Sequence, residues 1–262
     1  MPVLDSFRLD DKVAIVTGAG RGLGKAMAVA LAEAGADVAV MARSKEQIER
    51  TAEDIRRVGR RALPLAVDIT EEDQIRSSVE KTLDAFGRIH ILVNNAGTAL
   101  VKPLVPAPGF DEGITRRDLQ LVLETNFMGP FFLTQAVGEH LIKQRSGKVI
   151  NITSVDAERS GSHKTSYASS KAAVLNFTKA LAHEWARYNI QVNAISPGAF
   201  HTEMSKKVYE DEHLLKQMHA RIPMRRSGKL EELGPPVVFL ASEASSYVTG
   251  MVLYVDGGYM VY

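Results

Sequence analysis

The sequence predicts a single α/β domain with a doubly wound parallel sheet and helices on both faces. Short β-branched runs alternate with longer amphipathic patterns, these runs carry few charges, and the 262 residues contain no internal repeat or linker. Weakly charged strands between helices indicate a parallel sheet, because each crossover helix hides one face of the sheet from water. Right-handed crossovers then wind the chain to both sides of the first strand.

The strands and helices follow one another in regular alternation. Strands are predicted at the short apolar runs KVAIV, ADVAVM, ALPLAV, HILVN, KVINIT, IQVNAIS and MVLYV. Helices are predicted from the longer amphipathic patterns over Gly22 to Ala34, Lys45 to Val58, Glu71 to Phe86, Arg117 to Gln144, Ser166 to Arg187, and near Val237. Pro235 and Pro236 fit only the first turn of the last helix, where a missing N–H costs nothing.

Two long segments interrupt this alternation, at about residues 98–115 and 198–228. The first contains Pro103, Pro106, Pro108 and Gly109, and the second lacks a strand pattern. Long connections in a compact domain are usually binding or lid segments. We therefore expect the substrate to enter between them, within a single domain that spans residues 1–262.

The composition excludes several classes of function. Lys and Arg total 32 against 31 Asp and Glu, and the resulting net charge of +1 is too small to attract nucleic acid or a membrane surface. The absence of cysteine excludes disulfides, thiolate catalysis and Cys-ligated zinc, and we expect no metal site. The polar start and the lack of a long apolar run indicate neither a signal peptide nor a membrane span. The expectation is a cytoplasmic protein.

The stretch TGAGRGLGKA follows the first strand directly. It is not a nucleoside-triphosphate loop, because Ala26 stands where a magnesium-binding hydroxyl is needed, and a strict GxGxxG fails because Leu23 takes the third glycine position. Gly18, Gly22 and Gly24 still form a strand–turn–helix pattern that suits a diphosphate, which binds helix N–H groups and the positive end of the helix dipole. A tight turn without a ligand is the alternative.

The second strand indicates which dinucleotide binds. An acid at its carboxyl end would bind a ribose 2′-hydroxyl, but this end reads Met41, Ala42, Arg43. Arg43 and Arg21 offer guanidinium groups to a 2′-phosphate. NADP(H) is therefore the preferred cofactor and NAD(H) stays open, as does the alternative that both arginines are solvated surface charges.

A candidate acid–base pair lies further along the chain. Tyr167 and Lys171 stand four residues apart on a predicted helix, so both lie on one face. An ammonium near a phenol favours the phenolate and lowers the pKa of the tyrosine. Ser154, thirteen residues before Tyr167, follows a strand at the edge where ligands of such sheets bind. Its hydroxyl could bind the same substrate oxygen.

Together these residues resemble the short-chain dehydrogenase/reductase family, from about Leu9 to the C-terminus. The family's motifs occur in order as TGAGRGLG, Asp68 in VDIT, NNAG, Asn126 in ETNF, Ser154, YASSK and PGAFHT. The resemblance implies a Rossmann fold, a catalytic Tyr167 acting as acid and base, and Ser154 positioning a carbonyl. It also implies that Lys171 binds the nicotinamide ribose and that Asn126 holds a water linking Lys171 to solvent.

The resemblance also implies the remaining cofactor contacts. The residues concerned are Asp68 and Ile69 at the adenine, Asn95, Ala96 and Gly97 at the adenosine ribose, and Ile195, Pro197, Gly198 and Thr202 at the nicotinamide. It further implies a homotetramer built on the two longest helices and the C-terminal segment. Apolar residues of those helices, among them Phe131 and Phe177, could equally belong to the core.

The expected activity is interconversion of a secondary alcohol and a ketone by hydride transfer, with NADP(H) as cofactor and a small molecule as substrate. Gluconate- and polyol-type dehydrogenases and 3-oxoacyl-carrier-protein reductases are the nearest resemblances. A second hypothesis is a dinucleotide-binding sensor or assembly protein that has lost catalysis. The complete set of Asn126, Ser154, Tyr167 and Lys171 argues against that hypothesis.

Overall fold

Parallel strands form the sheet of the computed structural model, which describes residues 2–261. The seven strands in that range are β1 Val13–Thr17, β2 Asp37–Ala42, β3 Ala62–Ala66, β4 Ile91–Asn94, β5 Gly147–Ile152, β6 Ile190–Pro197 and β7 Val252–Val255. Their spatial order is β3-β2-β1-β4-β5-β6-β7, with every pairing parallel. The predicted doubly wound sheet is confirmed. Met1 and Tyr262, included in the predicted domain, lie outside the described residues.

Helices cover both faces of the sheet. They are α1 Gly22–Glu33, α2 Lys45–Arg57, α3 Glu72–Phe86, α4 Arg116–Leu123, α5 Gly129–Gln144, α6 Thr165–Trp185, α7 Lys206–Glu210, α8 Glu212–Ala220 and α9 Gly234–Ala241. Predicted and observed helix ends mostly agree to within one or two residues. Pro235 and Pro236 lie in the first turn of α9, as expected.

Successive side chains of a strand point to opposite faces of the sheet, so the core consists of two clusters, one on each face. Val16 packs with α1, α2 and α9, whereas its neighbour Ile15 packs with α3, α5 and α6. Complete burial of one such side chain contributes about 1.5–3 kcal/mol. Both faces of each central strand are thus apolar, which explains the nearly uncharged runs in the sequence.

The order of the strands creates the binding crevice. The chain leaves β1 for β2 and β3 on one side, then crosses back to β4 on the other. Connections after β1 and β4 diverge in opposite directions, so a cleft opens at the carboxyl edge between them. The glycine turn after Thr17 and the segment after Asn94 meet at this cleft.

The predicted helix from Arg117 to Gln144 is not one regular helix. A π-helical turn, Glu124–Met128, separates α4 from α5. The physical reason lies in Gly129-Pro130: Pro130 has no N–H to donate to the carbonyl of Asn126, and Gly129 passes so close to Ile69 that a Cβ there would lie 2.5 Å from its carbonyl oxygen. The correction matters because Asn126 lies within the π turn.

Candidate active site

The glycine turn is held in place by the NNAG segment. The Thr17 hydroxyl oxygen accepts hydrogen bonds from the backbone N–H groups of Asn95 and Ala96, both at 3.0 Å. The Asn95 side chain donates to the Thr17 carbonyl at 2.8 Å. Gly18 has a φ of +62°, a left-handed conformation that favours glycine. Two motifs far apart in sequence therefore form one rigid unit.

This unit ends in a helix N-terminus that is open to a ligand. Helix α1 begins at Gly22, and the side chain of the preceding Arg21 makes no capping hydrogen bond. Leu23 directs its side chain into the core beside α1, while its backbone stays in the first turn. The first N–H groups of a helix have no partner within the helix and suit an anionic group. The turn fits a diphosphate.

Gly24 shows how tightly this turn is packed. A Cβ at position 24 would lie 2.3 Å from both the Gly18 carbonyl oxygen and the Asn95 amide nitrogen. We expect Gly24→Ala to lower the free energy of unfolding by about 1–3 kcal/mol, because the turn must open to admit the methyl group. Binding of the dinucleotide should weaken in parallel, since the turn that would hold its diphosphate is displaced.

Thermal melts and NADPH titration check this prediction. Gly161→Ala is the matched control, because a Cβ there meets nothing nearer than 3.9 Å and its φ is not left-handed. Equal melting temperatures and equal affinities for the Gly24 and Gly161 variants would contradict the role given to this contact.

The expected adenosine side brings Arg43 and Asp68 together. The Arg43 guanidinium, 80% exposed, lies 3.9 Å from Oδ2 of Asp68. The other carboxylate oxygen accepts hydrogen bonds from Thr70. Ile69 is buried beside them. Asp37 lies at the opposite end of β2, where it pairs with the Arg60 and Arg61 guanidinium groups, so it cannot take the place of the missing acid.

Asn126 anchors the segment that follows β4. Its side chain accepts from the Thr98 backbone N–H at 2.7 Å and donates to the Thr98 carbonyl at 2.8 Å and to the Ser170 hydroxyl at 2.9 Å. Gly97 lies in the gap beside it: a Cβ there would be 3.3 Å from the Asn126 amide oxygen and 3.5 Å from Lys171 Nζ. Both amide N–H groups of the Asn126 side chain therefore have partners within the protein, and its amide oxygen accepts from Thr98.

Ser154, Tyr167 and Lys171 converge at the carboxyl edge of β5. Lys171 is buried and donates from Nζ to the Ile152 carbonyl at 2.8 Å. Burial lowers the pKa of Lys171 to about 8. The partly buried Tyr167 follows Ser166 on the same helix, one turn before Lys171.

The pKa of Tyr167 differs from the expectation. Burial of the phenol raises this pKa to about 12, a hydrogen bond with Ser154 opposes the rise, and the Asp156 carboxylate adds to it. The expected lowering by Lys171 is not found, because burial is the larger effect and the Lys171 ammonium donates to Ile152. Asp156 was not singled out from the sequence. No motif contains it, although its position two residues after Ser154 could have drawn notice.

The expected nicotinamide side lies where β6 ends. Pro197 closes the strand, and Gly198 follows so close to Asp256 that a Cβ would lie 2.7 Å from the Asp256 Cα. Ile195 packs into the core beneath them. Thr202 faces the glycine turn, since a Cβ at Gly22 would be 3.6 Å from the Thr202 methyl carbon. The structure thus brings both halves of the predicted dinucleotide site to one cleft.

The segment 98–115 is fastened rather than loose. Lys102 Nζ lies 3.2 Å from the Glu112 carboxylate and 3.0 Å from that of Asp118 at the start of α4. The Lys102 backbone N–H donates to the His163 carbonyl at 2.8 Å, and the Phe110 and His163 rings lie 4.7 Å apart. The segment therefore packs against the residues just before Tyr167.

The segment 198–228 contains α7 and α8. The His201 ring stacks on Tyr209 with centroids 4.2 Å apart, and the Tyr209 hydroxyl donates to Ser227 Oγ at 2.7 Å. These contacts join both ends of the segment across its two helices. Neither His201 nor His163 belongs to a cluster able to hold a metal ion, and residues 2–261 contain no such cluster. Within the same range, no helix has the length and apolar character that crossing a bilayer requires.

The fold and the site define a class. Rossmann-type oxidoreductases combine a doubly wound parallel sheet with a glycine turn at the start of the first helix. This chain has both, together with a serine, a tyrosine and a lysine at the carboxyl end of β5.

Comparison with known proteins identifies the family. A family model described as enoyl-(acyl carrier protein) reductase matches residues 18–260. The chain is 40% identical to 2-dehydro-3-deoxy-D-gluconate 5-dehydrogenase of Dickeya dadantii (strain 3937), over 98% of this chain and 99% of the relative. It is 39% identical to 3-oxoacyl-[acyl-carrier-protein] reductase of Thermotoga maritima, over 97% and 100%. A gluconate 5-dehydrogenase structure from Burkholderia cenocepacia J2315, in complex with NADP and tartrate, superposes with a TM-score of 0.92 at 38% identity and 99% coverage of both chains.

The chain belongs to the short-chain dehydrogenase/reductase family. It is an enzyme, one of the dehydrogenases and reductases of this family that act on CH–OH groups. It resembles the gluconate dehydrogenases and the 3-oxoacyl-carrier-protein reductases.

Proposed function

We propose that the protein is an NADP(H)-dependent oxidoreductase that interconverts a secondary alcohol and a ketone, with Tyr167 as acid and base. The observation that carries the proposal is the convergence of Ser154, Tyr167 and Lys171 beside the cleft formed by the glycine turn. NADP(H), when bound, supplies or accepts the hydride.

The chain's own residues handle the proton. In the direction of reduction, the Tyr167 hydroxyl donates its proton to the substrate oxygen as that oxygen gains charge. The Ser154 hydroxyl binds the same oxygen and holds it in reach. Lys171, whose pKa burial lowers to about 8, is proposed to bind the nicotinamide ribose and, once its ammonium turns from the Ile152 carbonyl, to stabilise the phenolate that remains. In oxidation the proton moves from the alcohol to the phenolate.

Asn126 has a supporting role in the proposal. Its side chain holds Thr98 and thereby Gly97 against Lys171. Pro130 cannot donate a helical hydrogen bond to the Asn126 carbonyl, so this carbonyl is suited to hold the water that would return a proton through Lys171.

The preference for NADP(H) depends on Arg43. No carboxylate stands at the carboxyl end of β2 to bind a 2′-hydroxyl, and Arg43 lies at the surface beside Asp68. The Burkholderia cenocepacia relative binds NADP, which supports the same choice. NAD(H) is the alternative, and the Asp68 carboxylate near Arg43 is the feature that favours it.

The proposed substrate is a sugar acid, a polyol or a 3-oxoacyl compound. The named relatives act on gluconate-type and acyl-carrier substrates. The segments 98–115 and 198–228, which we propose as the substrate loops, flank the cleft and carry the residues that would discriminate among these substrates. The contacts of Lys102 and Tyr209 hold both segments in shape.

The test is a titration with NADPH and NADH, followed by a panel of ketones that includes keto-sugar acids, diketones and 3-oxoacyl thioesters. We expect tighter binding of NADPH and turnover of at least one member. Tight binding of NADPH with no turnover across the panel would favour a dinucleotide-binding sensor or assembly protein instead.

We also propose a homotetramer built through α5, α6 and the C-terminal strand. Phe132 and Phe177 pack against the core, but Met128 and Phe131 are 44% and 38% exposed, and Tyr254 on β7 is 36% exposed. Exposed apolar side chains on these elements support contacts between subunits there. Light scattering should give a mass four times that of one chain, and the mass of a single chain would refute the assembly.

A further inference from the structure

One acidic residue connects the two groups proposed to contact the substrate oxygen. The Asp156 backbone N–H donates to Ser154 Oγ at 3.1 Å, which occupies a lone pair of that hydroxyl. The Asp156 carboxylate accepts from the Gly161 backbone N–H at 3.2 Å and from Lys164 Nζ at 2.9 Å. Its side chain is only 13% exposed. A single residue therefore links Ser154 to the rest of the connection between β5 and α6, residues 153–164, which leads to Tyr167.

Lys164 is the partner of Asp156 in this ion pair. It stands immediately before α6, and its carbonyl accepts the Ala168 backbone N–H at 2.8 Å. The Lys164 side chain donates from Nζ to the Asp156 carboxylate. The Asp156–Lys164 ion pair thus restrains the first turn of the helix, which is the turn that carries Tyr167.

The rest of the connection is anchored independently. The Tyr254 hydroxyl donates to the Glu158 carboxylate, and the Arg159 guanidinium donates to the Tyr259 carbonyl at 3.1 Å. The pair can therefore be altered without releasing the segment from β7 and the C-terminal residues.

The charges around the Tyr167 phenol come from a few elements. The connection before α6 carries Asp156, His163 and Lys164, together with Glu158 and Arg159, which contact Tyr254 and Tyr259, and α6 itself carries Lys171. On the packed side, Asp118 of α4 is paired with Lys102, and Glu124 of the π turn accepts from Gln120. Of these, the Asp156 carboxylate raises the pKa of Tyr167, and the Lys164 ammonium 2.9 Å away offsets its charge.

We propose that Asp156, held by Lys164, is a positioning residue that couples the Ser154 hydroxyl to the first turn of the Tyr167 helix and sets the charge beside the phenol. This inference rests on the proposed role of Tyr167. The pair lies outside every motif that carries the family resemblance. It acts through Ser154 and Tyr167 and makes no contact with the reacting atoms.

The test compares two variants of the full chain, Asp156→Asn and Lys164→Met. The Asp156→Asn variant keeps an acceptor for Gly161 and leaves the backbone bond to Ser154 intact, but it removes the negative charge. The Lys164→Met variant removes the positive charge and leaves the Asp156 carboxylate uncompensated. The readout is the pH dependence of kcat for alcohol oxidation, which requires the phenolate.

We expect shifts of opposite sign. The rising limb of the profile should move to lower pH in Asp156→Asn and to higher pH in Lys164→Met, each by roughly half to one unit. Lys179→Met, which removes an exposed lysine from the same helix, should leave the profile in place. Asp156→Ala should lower kcat at unchanged KM, and Asp156→Asn should restore most of that loss.

Other outcomes overturn the inference. If both variants keep the wild-type limb, or move it in the same direction, the pair has only a structural role. Melting temperatures close to wild type establish that the variants are folded. The Tyr167→Phe variant separates this failure from a failure of the proposed function. If Tyr167→Phe is active, the acid–base assignment itself is refuted. If it is inactive and the pH profiles of the Asp156 and Lys164 variants match that of the wild type, only the coupling is refuted.

Discussion

Tyr167→Phe is expected to lower kcat by at least about a hundredfold, the lower end of what a positioned acid–base group contributes. The change removes one oxygen and keeps the ring that packs at the start of α6. Ser154 and Lys171 stay in place, so the substrate oxygen is still held but has no adjacent proton donor. The dissociation constant for NADPH should stay within about twofold of wild type, because the loss concerns a step after binding.

The measurement is steady-state kinetics with the best ketone of the panel, together with an NADPH titration. Tyr247→Phe is the matched control, since it removes the same hydroxyl from a fully exposed tyrosine. The control should retain wild-type rates. Unchanged turnover in the Tyr167 variant would remove the proposed mechanism.

Arg43→Asp is expected to weaken NADPH binding by roughly ten- to hundredfold, the range that corresponds to losing a charge-assisted hydrogen bond. The substitution removes a guanidinium and places a second carboxylate near Asp68, which lies 3.9 Å from the Arg43 side chain. A 2′-phosphate would then face two negative groups. NADH has no phosphate at that position, so its affinity should stay equal or improve.

Paired titrations with NADPH and NADH measure the effect as a ratio of affinities, which cancels any general damage to the turn. Arg57→Asp is the control, because it makes the same charge change at the opposite end of α2. Equal losses for both cofactors in Arg43→Asp would contradict the assignment of Arg43 to the 2′-phosphate. At high ionic strength, Arg43→Asp should change the ratio of NADPH to NADH affinity less, because salt screens the charge of this exposed side chain.

Most of the fold could be predicted because the pattern is local. The central strands β1, β2, β4 and β5 are buried on both faces, and the edge strands β3 and β7 are partly buried, so seven apolar runs mark the seven strands of the described chain. The amphipathic patterns predicted most helix ends to within a residue or two, and the structure shows Ser44 capping the start of α2 and Gly87 ending α3. The glycine turn and the Tyr167–Lys171 pair were accessible for the same reason, since each lies within ten residues of sequence.

The π turn at Asn126 shows where such reasoning ends. Gly129-Pro130 was the local signal, but its effect depends on Ile69, which approaches from a different crossover. The fastening of Lys102 to Asp118 is similar, because either residue alone reads as a solvated surface charge. Contacts between separated segments leave no periodicity in the sequence.

By itself, the sequence determined the class of fold, the cleft at which a dinucleotide would bind, and the identity of the proposed acid–base residue. These features follow from residue type and spacing along short stretches of chain. Only the tertiary structure decided the electrostatics: it placed Asp156 beside Tyr167, directed Lys171 to the Ile152 carbonyl, and put Arg43 near Asp68. A pKa depends on burial and on charges brought together by folding, so spacing in the sequence predicted that Tyr167 and Lys171 share a helix face but not the direction of the shift in the Tyr167 pKa.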